Sequence, residues 1–121
     1  MKRAILLIVC ALPWGGCSDC DPTERTSATS PDGAFTAIQT LDECGGATVA
    51  FYTDVYVRPA PEAKQAYTEE GILQIRGNDW VGMEWTGTRT LKLTVPPSAR
   101  IMRFRPKLEE LVIVLNREVV P

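Results

Sequence analysis

Three groups of side chains have the types and spacing for chemistry. Cys17 and Cys20 stand two residues apart in Cys17-Ser18-Asp19-Cys20, with Cys10 before them and Cys44 after. That C-x-x-C spacing suits a redox pair, half a metal clip or the start of a disulfide framework. The carboxylates Asp54, Asp79 and Glu84 form the second group, each near an aromatic residue; two carboxylates facing one cleft are what glycan hydrolysis requires. The third group is Arg100, Arg103, Arg105 and Lys107. On a strand the last three would share one side, where the phosphates of anionic lipid would meet them, although such a row is more often a solvated edge that discourages aggregation.

Most of this chemistry lacks its partners. Histidine is absent from the 121 residues, which removes the usual general base near neutral pH and disfavours serine and cysteine triads. A thioredoxin-type C-x-x-C opens a helix inside a strand–helix–strand unit, whereas CSDCDPTERTSATSPDG is polar and rich in turn formers. Zinc would need a fourth ligand that bunched cysteines do not supply. The plainer role for Asp79 is to cap a turn, and for Glu84 to face water. No catalytic residue, metal or other cofactor is expected.

The elements that position these groups begin with a leader. Lys2 and Arg3 precede an apolar run from Ala4 to Leu12, about half the roughly 20 residues a membrane-spanning helix needs. A positive start, a short apolar core and small residues are the marks of an export signal. Because Gly15-Gly16 ends on Cys17, the segment resembles the lipobox of bacterial lipoproteins, with Trp14 where that motif usually has an aliphatic residue. The resemblance implies cleavage after Gly16, a diacylglyceryl group such as a palmitate-bearing one on the Cys17 sulfur, and acylation of the new amine. Two or three acyl chains anchor a protein stably to a membrane where one is marginal. Ser18 at the next position implies sorting to the outer membrane, facing the periplasm.

With Cys10 inside the leader and Cys17 given to lipid, Cys20 and Cys44 remain as an even pair in an oxidising compartment, where disulfides persist. Their bridge would close a loop of about 25 residues, worth roughly 3–4 kcal/mol. All 15 acidic residues follow residue 16 while Lys2 and Arg3 precede it. The exported part is thus more acidic than the formal −2 of the whole chain, and a nucleic-acid partner is not expected.

The expected organisation is a signal segment over 1–16, a polar tether over 17–30 and one all-β domain over 31–121. Ser30-Pro31-Asp32-Gly33 has the residues of a type I turn. AFTAIQTL after it is the first expected strand. In ATVAFYTDVYV the odd positions Val49, Phe51, Thr53, Val55 and Val57 are largely apolar and the even ones more polar, the period of a half-buried strand. RPAPEAKQAYTEEG reads as a loop. ILQIRG, WVGMEW, TRTLKLTV and RIMRFR follow as strands, the last with Met102 and Phe104 on one face. KLEELVIVLNREVV keeps helical spacing but its β-branched run favours strand. About seven short strands in an antiparallel meander or small sandwich result.

SPDGAFTAIQTLDECGGATVAFYTDVYV is similar to a group of short bacterial lipoproteins. These share a lipobox, a nearby second cysteine, a Ser-Pro-Asp-Gly turn and a Cys-Gly-Ala-Thr-Thr-like segment entering a long strand. They later carry a Trp-rich strand and a Leu-x-Leu-x-Val strand, comparable to WVGMEWTGTRTLKLTV. The resemblance implies topology and the cysteine pair, and no catalytic residue.

The expected function is binding or structural presence in the bacterial envelope, anchored through lipid on Cys17. Tyr52, Tyr56, Trp80, Arg103 and Arg105 are the candidate binding surface, with Trp85 as a further aromatic; exposed aromatics mark interfaces, although aromatics so placed more often form a second core layer, as a sandwich needs. One alternative is an inhibitor or immunity-type lipoprotein with an envelope protein partner, inserting RPAPEAKQAYTEEG into that partner's cleft. Another is a glycan-acting envelope enzyme using Asp54, Asp79 and Glu84.

Overall fold

The structure is a computed structural model that describes residues 20–45, 50–60 and 71–119. The leader, the lipobox with Cys17, and the 61–70 part of the expected loop lie outside the described residues. Among those described there are nine strands and no helix long and apolar enough to cross a membrane.

Strands β1 (Cys20–Thr29), β2 (Phe35–Cys44), β3 (Ala50–Pro59), β4 (Leu73–Arg76) and β7 (Arg100–Phe104) form a five-stranded antiparallel sheet in that order. Strands β5 (Gly82–Trp85), β6 (Thr90–Val95), β9 (Leu111–Arg117) and β8 (Lys107–Leu108) form a second sheet in that order, with β6 and β9 parallel. The expected all-β class holds, as a sandwich with mixed pairing in its smaller sheet.

The core lies between the sheets. Phe35 and Ala37 of β2, Val55 and Val57 of β3, and Leu73 and Ile75 of β4 meet Leu91, Leu93 and Val95 of β6 and Leu111 and Ile113 of β9. Burying a large apolar side chain contributes about 1.5–3 kcal/mol, so the period-two patterns hold the two layers together. Gln39 lies among these residues, fully buried. Its Nε2 donates to Val81 O at 2.8 Å and its Oε1 accepts from Val81 N–H at 2.9 Å.

The Ser30-Pro31-Asp32-Gly33 turn closes the β1–β2 hairpin. Gly33 N–H donates to Ser30 O at 2.9 Å, and Gly33 takes a φ of +75° that favours glycine. Asp32 Oδ1 accepts from Ala34 N–H at 3.1 Å and from the Ser30 hydroxyl at 2.9 Å. From this turn Asp32 reaches Arg89, which also holds Glu110 at 3.0 Å, so the ion pairs tie the hairpin tip to the second sheet.

Three expectations are corrected. The polar tether over 17–30 is instead strand from Cys20 to Thr29. This segment lacks an apolar face of its own, and pairing with β2 supplies its backbone partners. The described residues form nine strands rather than about seven, because β1 is added at the start and KLEELVIVLNREVV breaks into β8 and β9 at a turn where Glu109 takes a φ of +56°. Met102 does not share a face with Phe104. The register pairs Ile75 with Ile101 and Gln74 with Arg103, leaving Met102 as the extra residue of a bulge. Ile101 and Phe104 therefore turn inward together, and Met102 is exposed.

Candidate functional site

The even-numbered side chains of β2 and β3 point away from the core, onto the outer face of the larger sheet. Register opposes Thr36 to Arg58, Ile38 to Tyr56, Thr40 to Asp54 and Asp42 to Tyr52. Strand β4 adds Gln74 beside Asp54 and Arg76 beside Tyr52. An outer sheet face is ordinarily solvated, yet here Asp54 is 1% exposed and Ile38, Thr40 and Asp42 are buried.

The polar groups form one network. Thr40 Oγ1 donates to Asp42 Oδ1 at 2.9 Å. Gln74 Nε2 lies 3.4 Å from Asp54 Oδ2, and Arg103 Nη2 lies 3.6 Å from Asp54 Oδ1. Asp54 Oδ1 has no hydrogen-bond partner. Burial, then the hydrogen bond and charge of Asp42, push the Asp54 carboxyl up to about 7, against the smaller pull of Gln74 and Arg103. Burial also raises Tyr56, helped by the charges of Asp54 and Asp42.

Beside the network the same face opens into a cleft of about 330 Å³. Ile38, Pro59 and Ala60 give it apolar lining, Ser27 and Thr36 supply hydroxyls, and Glu24 and Arg58 bring one charge of each sign. No motif pointed to this cleft. Its only trace in the sequence is the mixed character of the outward positions, which gives no hint that they are covered.

The predicted surface residues separate. Tyr52 and Tyr56 are half-buried on this outer face, Tyr56 against Ile38 and Tyr52 against Asp42 in register. Arg103 joins them through Asp54. Trp80 stands elsewhere, in the β4–β5 connection. It is 52% exposed, and the Arg25 guanidinium stacks 3.9 Å from its ring centroid. Arg25 is the extra residue of a bulge in β1 and also donates to Asn78 O at 3.0 Å. Burial lowers its pKa, partly offset by Asp79. Trp85 is partly buried, packing against the core and donating from Nε1 to Ala28 O at 2.8 Å.

The cation row is broken as well. Arg105 follows the end of β7 and is half-buried, its backbone N–H donating to Ile72 O at 2.9 Å, while Lys107 begins β8 in the other sheet. A strand switching sheets cannot keep one row of side chains on one side.

The three carboxylates proposed for glycan chemistry are also apart. Asp54 is buried on the outer face of the larger sheet, and Asp79 is exposed in the β4–β5 connection. Glu84 is exposed beside Lys92 on the outer face of the smaller sheet, the far side of the sandwich. They do not face one cleft, as a two-carboxylate glycan-cleaving mechanism requires. Among the described residues no three cysteine, aspartate or glutamate side chains gather as a metal site would require.

Cys44 is half-buried and disulfide-bonded. Its register partner across the ladder is Cys20, whose side chain lies outside the described residues. Residues directly opposed in an antiparallel pair have Cα atoms roughly 4.5–5.5 Å apart, within the range a disulfide spans. No protein-family model, no curated protein and no solved structure matches the chain.

Proposed function

We propose that the chain is a lipid-anchored protein of the bacterial envelope that acts by binding through the outer face of its larger sheet. Lys2, Arg3, the apolar run to Leu12 and Gly15-Gly16-Cys17 support export and attachment of acyl chains at Cys17. A pairing of Cys20 with Cys44 follows from the register and from the oxidising compartment this implies. Because β1 starts at Cys20, only two residues would separate the acylated cysteine from the fold. The sandwich would sit close against the outer-membrane surface on its periplasmic side.

The observation that carries the binding role is the outer face itself. Its accessible part, a cleft of about 330 Å³ rimmed by exposed Glu24, Ser27 and Arg58 with half-buried Tyr52 and Tyr56 on the same face, supports contact with a partner. Neither nucleic acid nor a metal enters this scheme; the membrane and an envelope protein are the partners. Two arms test it in a bacterial host making the full chain. A clickable fatty acid should label the wild type and not Cys17→Ser. Crosslinking in intact cells from position 58, at the cleft, should capture an envelope protein, and crosslinking from position 92 on the opposite sheet should not. Equal labelling of both chains removes the anchor, and equal capture from both positions removes the binding face.

A further inference from the structure

We infer that Asp42 and Asp54 form a proton-operated latch: with one proton between them they leave the Arg103 guanidinium at the solvent edge, and without it they draw Arg103 inward onto Asp54. The pair is positioned by the ladder. Thr40 opposes Asp54, and Asp42 is the next side chain along that face, so the two carboxyls sit on a diagonal of neighbouring strands. Asp54 is 1% exposed and its Oδ1 accepts no hydrogen bond. A second negative charge beside Asp42 in that setting needs a counter-charge.

Arg103 is the group built to supply it. Its side chain is 48% exposed and its Nη2 stands 3.6 Å from Oδ1, longer than the roughly 2.7–2.9 Å of a charge-assisted hydrogen bond. That gap is slack to be taken up. The bulge beside Arg103 in β7 marks where the ladder is already irregular. Gly71 leaves the lane open: a Cβ there would stand 3.1 Å from Arg103 Nη2 and 3.5 Å from Asp54 Oδ1. The other charged or titratable groups sharing this face are Glu24 on β1 beside Thr40, Tyr52, Tyr56 and Arg58 on β3, Arg76 on β4 beside Tyr52, and Arg100 on β7 beside Arg76. The cations among them are in register elsewhere, Arg58 with Thr36, Arg76 with Tyr52 and Arg100 with Arg76, and none with Asp54.

On the acid side the proton of Asp54 lies in a hydrogen bond to Asp42, and the β7 edge presents a free guanidinium. On the alkaline side the proton goes to solvent, Arg103 pairs with Asp54, and that edge loses an exposed cation. The latch thus gates the charge of the sheet edge next to the proposed binding face, yet it stands or falls independently of lipid anchoring.

Side-chain NMR of the isotope-labelled full chain tests it through a titration across neutrality. The Asp54 carboxyl carbon and the Arg103 Nε–H resonance should move together with one midpoint near 7. Arg103→Gln, a change at a half-exposed site, and Gly71→Ala should each raise the Asp54 midpoint, and Asp54→Asn should abolish the Arg103 shift. An Asp54 carboxyl ionised throughout that range, or an Arg103 resonance unmoved while Asp54 titrates, would overturn the latch.

Discussion

Gln39 pairs with Val81 as a strand pairs with a strand. Its carboxamide donates to the carbonyl at 2.8 Å and accepts from the N–H at 2.9 Å, with no exposure to water. Val81 lies in the β4–β5 connection, where the chain leaves the larger sheet for the smaller one. One side chain therefore satisfies both backbone groups at the crossing.

Replacing Gln39 by Leu keeps the volume and strands both Val81 groups in the core. Each buried polar group left unpaired costs about 1–3 kcal/mol, so Gln39→Leu should lose roughly 2–5 kcal/mol of unfolding free energy. Urea denaturation of the variant against wild type measures it.

Two aspartates give the pH dependence of stability opposite signs. Asp54 is raised to about 7 from an ordinary value of 3.8. The folded state then binds the extra proton, and stability falls as pH rises from about 4 to about 7 and stays low above it. Asp32 is lowered to about 2 by the Ala34 N–H, the Ser30 hydroxyl and Arg89. Its contribution is present above 3.8 and is lost as pH falls through 2. Asp54→Asn should remove the decline toward neutrality and leave the acid limb intact. Thermal unfolding at a series of pH values reads both limbs.

The bonded state of Cys44 sets a third expectation. With Cys20 as its partner the closed loop is about 25 residues, and reduction should cost roughly 3–4 kcal/mol. Denaturation with and without a thiol reductant checks the loss, and Cys20→Ser should reproduce it. A variant as stable as wild type would assign Cys44 another partner.

Two turns should respond in opposite directions to glycine. Gly33 at φ +75° has open space around its missing Cβ, so Gly33→Ala meets no clash and loses about 1 kcal/mol from backbone strain alone. Glu109 carries a side chain at φ +56°; Glu109→Gly should gain about 1 kcal/mol. Chemical denaturation midpoints of the two variants should bracket the wild type.

The alternation in β3 was readable because Val55 and Val57 lie against the core, and burial of one face writes a period of two into the sequence. Strand β1 was hidden for the converse reason. CDPTERTSAT is exposed or half-exposed wherever its burial is described, so its place depends on the backbone of β2 rather than on its own pattern. The parallel pairing of β6 with β9 has no local signal, since the chain visits the other sheet as β7 between them. Gln39 was visible in hindsight as an amide within the inward series Phe35, Ala37, Gln39. The covered state of Asp54 was not, because alternation tells which way a side chain points and not whether that face is open. Trp80 reads from the sequence as an aromatic surface residue, but its stack on Arg25 depends on a bulge in a strand that composition does not reveal.

The proposed attachment at Cys17 would decide where this sandwich acts, and intact mass spectrometry of the processed protein from a bacterial host tests it most directly. The predicted species begins at Cys17, lacks residues 1–16 and carries a diacylglyceryl group on sulfur with a further acyl chain on the amine. An unmodified Cys17, or a chain that keeps its first 16 residues, would contradict it.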